Sequence, residues 1–254
     1  MSCAVHHTFA GPPDAQVVVL SNSLGTTLEM WEPQVGVLAR DRRVLRYDMR
    51  GHGRSPVPET PYSIADLGSD LIALLDWSGI ERASLCGVSL GGMVSMWVAA
   101  HAPERVERLA LVSTSALLGP PEGWAARAAA VLEGGMAAVT DTVLERWFTP
   151  GFTAAHPEVV AGVRAQLLST PPEGYAACCE ALSTLDQREL LPRIKSPTLV
   201  IAGRHDMATP IAAGEFIRSK IPGASMTILD AAHISNVEQP HAFTDAVVGF
   251  LTQP

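Results

Sequence analysis

Short apolar runs rich in β-branched residues alternate along this chain with stretches of helical periodicity. The runs fall at residues 17–20, 43–47, 83–88, 109–113, 198–202 and 226–229, each too short for a stable helix and mostly apolar at consecutive positions. Consecutive apolar residues put hydrophobic side chains on both faces of a strand, so both faces must be covered. The pattern therefore predicts an α/β fold: a mostly parallel, twisted sheet with helices packed on each side.

Between the strands, Ser63 followed by Asp66, with Leu67, Leu71, Leu74 and Leu75 in helical register, predicts an N-capped amphipathic helix ending near Gly79. Further helices are expected just after Ser89 and over 240–252. The regular spacing breaks between the fourth strand and the run at 198, a gap far longer than the usual connection of about 2–6 residues. Helical patterns at 124–133, 136–147, 156–169 and 173–184 fill it, punctuated by Gly134-Gly135, Thr149-Pro150-Gly151 and Pro171-Pro172. The expectation is a core formed by 1–118 and 193–254 with a helical cap, 119–192, laid over the sheet. Gly119-Pro120-Pro121 and the turn before Pro197 would hinge it.

With 254 residues, 47% of them hydrophobic, the chain can bury one sizeable core. A net charge of −8 argues against nucleic acid or an anionic membrane as partner and leaves small molecules as the default. No basic, apolar leader opens the sequence and no apolar run is long enough to span a bilayer, so a cytoplasmic location is expected. Cys3, Cys86 and the vicinal pair Cys178-Cys179 lack metal-site or disulfide-framework spacing and read as four reduced thiols.

The chemistry concentrates at Gly87-Val88-Ser89-Leu90-Gly91, a G-x-S-x-G segment with a strand before it and a helix after it. Such a segment places a serine on a tight strand-to-helix turn, where flanking glycines leave room for the backbone. A Gly-rich turn with a serine N-cap fits the same five residues. A serine nucleophile further needs a base held by a carboxylate. Asp206 follows the strand 198–202 and His233 follows the strand 226–229, both just past strand C-terminal ends, where open α/β sheets place their sites. The order Ser, Asp, His along the chain suits this arrangement. His52, in Arg50-Gly51-His52-Gly53, is the rival base but reads as a structural turn; His205 shares the Asp206 loop, and Asp230 is the alternative acid. For the oxyanion that forms when Ser89 attacks a carbonyl, the candidate donors are the backbone N–H of Leu90 and that of Leu24, in Asn22-Ser23-Leu24-Gly25 after the strand 17–20.

The order of elements, the elbow around Ser89, Asp206 and His233 together resemble the α/β-hydrolase fold over the whole chain. Within it, four segments resemble the 3-oxoadipate enol-lactonases: Trp124-Ala125-Ala126-Arg127 through Gly134-Gly135-Met136, Arg146-Trp147-Phe148-Thr149-Pro150, Gly174-Tyr175-Ala176-Ala177-Cys178-Cys179, and Ala232-His233-Ile234-Ser235-Asn236-Val237-Glu238-Gln239. Asn22-Ser23 stands where most of the superfamily carries a His-Gly pair. The resemblance implies hydrolysis of a five-membered enol-lactone bearing an acetate arm, in the β-ketoadipate pathway of aromatic degradation. It implies an acyl-enzyme on Ser89 with His233 as base and Asp206 as its partner, and no metal or organic cofactor.

A substrate with a free carboxylate wants a cation, and the cap offers Arg127, Arg146 and Arg164. Arg127 is preferred because it lies one turn from Trp124; Trp124 and Trp147 are expected to wall the pocket, and Trp31 to be core or pocket floor. Met30, Met93 and Met96 read as packing. Another small-ester serine hydrolase, a cofactor-free perhydrolase or a ligand-sensing homologue without turnover fits the same residues, whereas epoxide hydrolases and haloalkane dehalogenases place Asp where Ser89 stands.

Overall fold

The computed structural model describes residues 5–253; Cys3 lies outside them. Among the described residues, β1 (His7–Ala10), β2 (Val17–Ser21), β3 (Arg43–Tyr47), β4 (Ala83–Val88), β5 (Val106–Val112), β6 (Thr198–Gly203) and β7 (Ser225–Leu229) form one sheet. Its order is β1-β3-β2-β4-β5-β6-β7, with only the β1–β3 pair antiparallel. β2, β4 and β6 are buried along their whole length, as consecutive apolar residues require. β1 has no such run: it is a half-exposed edge whose Phe9 lies under the Arg43 guanidinium. β5 starts at Val106, earlier than its apolar run, because Glu107 and Arg108 are only partly buried.

Helices α1 (Glu32–Leu38), α2 (Ile64–Trp77) and α3 (Leu90–His101) connect the first strands. The start of α2 is set by a reciprocal cap, in which Ser63 Oγ accepts from Asp66 N–H and the Asp66 carboxylate accepts from Ser63 N–H. Between β5 and β6 lie α4 (Pro121–Gly134), α5 (Ala137–Trp147), α6 (Pro150–Ala155), α7 (Pro157–Ser169) and α8 (Pro172–Ser183). The chain enters and leaves this helical segment at one neck: Leu117 and Asp186 form an antiparallel bridge, and Gln187 N–H donates to Ala116 C=O at 2.7 Å. After β6 come α9 (Ile211–Lys220), α10 (Ser235–Glu238) and α11 (Pro240–Leu251). α1, α6, α9 and α10 lie outside the sequence expectation: α1, α6 and α10 are short, and α9 buries only Gly214 and Ile217, too few to print a periodicity on the sequence. No helix among the described residues is long and apolar enough to cross a membrane.

The loops after β2, β3, β4, β6 and β7 all emerge from the same C-terminal edge of the parallel strands. The helices between β5 and β6 contribute residues that, together with Ser89 and His233, enclose a cavity of about 660 Å³ over that edge.

Candidate active site

Ser89 occupies the turn from β4 into α3 with φ 56° and ψ −115°, a region that side-chain-bearing residues rarely enter. The turn is over-determined: Ser89 N–H donates to Val112 C=O at 2.8 Å, and Ser89 C=O accepts from Met93 N–H and from Thr114 Oγ1 at 2.8 Å. The neighbouring glycines are needed for closeness. A Cβ at Gly91 would meet Ser21 C=O at 2.1 Å, and one at Gly87 would meet Gly91 C=O at 2.2 Å. A serine held in a strained turn and opening on a cavity has its hydroxyl presented to a ligand rather than to the core.

Asp206 and His233 meet at the ends of β6 and β7. His233 Nδ1 donates to Asp206 Oδ2 at 2.8 Å, with both residues almost fully buried. The carboxylate is saturated with donors: Ala208 and Thr209 N–H reach Oδ1 at 2.8 and 2.9 Å, and Thr209 Oγ1 donates to Oδ2 at 2.7 Å. Burial pushes the Asp206 carboxyl up, but the charge and hydrogen bond of His233 and the Thr209 donors outweigh it and hold the group below the usual carboxylate range. With the proton fixed on Nδ1, His233 Nε2 carries the lone pair, and the residue lines the same cavity as Ser89. The His233 loop is further braced by Glu238, whose carboxylate accepts from Ala232 N–H at 2.8 Å and from both the N–H and the hydroxyl of Thr149. Asp230, the alternative acid, is exposed and pairs with His205 at 2.9 Å, so both rivals are accounted for on the surface.

The loop after β2 singles out one donor. Ser23 N–H donates to Met30 Sδ at 3.4 Å, Gly25 N–H to His52 Nε2 at 2.9 Å and Thr26 N–H to Ser23 C=O at 3.2 Å. Among the described residues, Leu24 N–H alone in this run has no protein acceptor, and Leu24 lines the cavity. Leu90 N–H, at the first position of α3, is free in the same way. Asn22 anchors the loop, donating to Tyr47 C=O at 2.8 Å and accepting from Trp31 Nε1 at 2.9 Å. Trp31 is thus core, and Met30 does more than pack.

His52 also has a fixed tautomer: Nε2 faces an N–H, so the ring proton is on Nδ1, 3.1 Å from Arg50 C=O. Burial lowers its pKa from 6.5 to about 4. The unfolded chain therefore takes up a proton in this window that the folded chain refuses. Stability contributed by His52 is complete above pH 6.5 and falls as pH drops toward about 4. The expected loss across the window is roughly 3 kcal/mol. Urea midpoints at neutral and mildly acid pH, compared between wild type and His52→Gln, check this; the variant should show the smaller acid-induced drop.

Trp124, Arg127 and Trp147 all line the cavity, as does Arg146 at its exposed rim. None of the described lining residues is acidic, in a chain of net charge −8. The Arg127 guanidinium lies 5.3 Å from the Trp124 and Tyr175 ring centroids, donates to Tyr175 OH and leaves its buried Nε without a partner. Arg164 is not part of the lining and pairs with Asp141 at 2.5 Å on the surface. Met96 is core, whereas Met93 both packs and lines the cavity. Sequence reasoning missed Thr209, whose signal was a threonine three residues after a candidate acid, the spacing of a side-chain-capped turn.

Residues 16–240 match the family described as alpha/beta hydrolase fold. The chain is 44% identical over 244 residues to 3-oxoadipate enol-lactonase 2 of Acinetobacter baylyi, an alignment covering 96% of this chain and 91% of that one. Among solved structures, the enol-lactonase from Burkholderia xenovorans superposes with a TM-score of 0.97 at 46% identity, covering 98% of this chain and 96% of that one. A thermophilic esterase from Thermogutta terrifontis gives 0.92 at 28% identity, covering 97% and 92%. The chain belongs to the alpha/beta hydrolase fold family and, within it, to the group of the 3-oxoadipate enol-lactonases.

Proposed function

We propose that this chain, a hydrolase of the ester and lactone class, opens the ring of 3-oxoadipate enol-lactone to give 3-oxoadipate, in the cytoplasmic degradation of aromatic compounds. The observation that carries the reading is the buried Asp206–His233 pair, 2.8 Å apart, opening on the same cavity as Ser89. In this mechanism Ser89 Oγ attacks the lactone carbonyl while His233 Nε2 takes its proton. The oxyanion is met by Leu24 and Leu90 N–H. The ring C–O bond then breaks, the enol oxygen takes the proton from His233, and the enol becomes a ketone, which withdraws the leaving group from the reverse reaction. Water, deprotonated by His233, attacks the acyl-enzyme and releases the second carboxylate. Asp206 keeps the proton on Nδ1 and stabilises the imidazolium.

Residues 119–192 act as the cap in this reading, supported by the Leu117–Asp186 neck and by the many residues of the segment, Trp124, Arg127, Arg146 and Trp147 among them, in the cavity wall. A cavity with two arginines and no acid suits a small substrate with a free carboxylate, and Arg127, with an unpartnered Nε, is the anchor. Replacing Arg127 with Met keeps the apolar stem and removes the charge. KM for the lactone is expected to rise about 10–100-fold, the worth of a charged hydrogen bond, with no change on neutral 4-nitrophenyl acetate. The decisive assay follows ultraviolet loss of the enol-lactone alongside aryl-acetate hydrolysis by the same preparation. Aryl-ester turnover without lactone opening would assign the site to another ester; turnover of neither would leave a ligand-sensing protein.

A further inference from the structure

The residue next to the Leu24 donor is gripped on both of its peptides by groups that no step of the reaction uses. This neighbour, Gly25, gives its N–H to His52 Nε2 at 2.9 Å, and its C=O lies 3.2 Å from Thr170 Oγ1, whose proton it shares with Gln166 C=O at 3.3 Å. His52 comes from the loop after β3, in the core; Thr170 lies between α7 and α8, in the helical segment. Gly25 has φ +79°, and a Cβ there would lie 2.5 Å from Leu167 Cδ1 and 2.9 Å from Tyr175 Cε2, so the helices press directly on it. Beside it the two backbones touch: a Cβ on Gly174 of α8 would be 2.5 Å from Gly51 Cα, one residue before His52. The peptide that carries the Leu24 N–H is held on its other side, because its carbonyl, Ser23 C=O, accepts from Thr26 N–H and, at 2.8 Å, from Thr26 Oγ1.

We propose that His52 and Thr170 are positioning residues for the oxyanion hole, which together clamp Gly25 so that the Leu24 N–H points at the carbonyl oxygen under attack. The inference deepens the proposed function and rests on its assignment of Leu24 as a donor. Both polar groups are buried and neither lines the cavity, so their contribution reaches the substrate only through the loop. Because Thr170 belongs to the helical segment, seating that segment on Gly51 and Gly25 completes the hole. A misplaced donor loses transition-state stabilisation while ground-state binding by Arg127 is untouched.

The test compares wild type, Thr170→Val, Thr170→Ser and His52→Leu on 3-oxoadipate enol-lactone and on 4-nitrophenyl acetate, with thermal melts as a folding control. Thr170→Val is expected to lower kcat about tenfold and His52→Leu about 10²-fold, the scale of a donor displaced or lost. The loss should be parallel on both substrates, since the donor serves either carbonyl, with KM within about twofold. Thr170→Ser should recover most of the wild-type kcat. Folded Thr170→Val with unchanged kcat, or a loss confined to KM or to the lactone, overturns the proposal. Should His52→Leu fail to fold, the Val and Ser variants at 170 decide alone. Failure of the underlying reading is visible separately: Ser89→Ala would then retain turnover, or wild type would ignore the lactone while the aryl-ester arm still reports on the donor.

Discussion

Ser89→Ala is expected to reduce kcat on the enol-lactone by about 10⁴-fold or more while leaving the affinity for product nearly unchanged. The size follows from the loss of the covalent route. Without the hydroxyl, His233 can only activate water, and the two free N–H groups of Leu24 and Leu90 retain their modest share of the acceleration. Stability should hold, since the side chain is only partly buried and the strained turn is fixed by backbone bonds from Val112 and Met93 and by Thr114. Single-turnover kinetics would show the acyl-enzyme burst disappear. A variant that kept even a tenth of the wild-type rate would remove Ser89 from the mechanism.

Asp206→Asn is expected to cost about 10⁴-fold in kcat, although it changes one atom. The reason lies in which oxygen each donor uses. Ala208 and Thr209 N–H both point at Oδ1, so the amide oxygen of asparagine must take that place. Its NH2 then faces His233 Nδ1 where Oδ2 had been, and must donate to it. The imidazole is forced to carry its proton on Nε2, the nitrogen that must take the Ser89 proton in this mechanism, and has no lone pair there with which to act as base. Nitrogen-15 spectra of labelled histidine would report the tautomer directly, and an unchanged Nδ1–H form with full activity would contradict the assignment. Acid has a related effect on the wild type. The depressed Asp206 carboxyl contributes stability above its unfolded value of 3.8, which is lost as pH falls through the lower folded value.

Much of the candidate site could be read from the chain because Ser89, Asp206 and His233 each stand within a few residues of a strand end. Val17 to Leu20 and Thr198 to Ala202 announce themselves as buried strands, and Asn22, Ser89, Asp206 and His233 follow such runs at short distance. The helical segment was legible from its prolines and paired glycines, with α6 lost because six residues carry too little periodicity. What stayed hidden depends on contacts between distant parts of the chain. His52 reads correctly as a turn, yet its acceptor role toward Gly25, 27 residues away, needs the loops after β2 and β3 side by side. Thr170 is 145 residues from the carbonyl it holds, and a threonine after a helix carries no mark of such a duty. Met30 reads as filler because its side chain is apolar, while its sulfur accepts from Ser23 N–H at 3.4 Å.

The bridge between Leu117 and Asp186 brings the two ends of the helical segment together at one neck, while Thr149 and Thr170 tie its interior to Glu238 and Gly25 of the core. On the proposed reading, a segment with its ends so paired can be exchanged for another without cutting the strands that lead to Ser89, Asp206 and His233. The same reading sets a condition on the exchange: an incoming segment must bring hydroxyls to the places of Thr149 and Thr170, which reach Glu238 and Gly25.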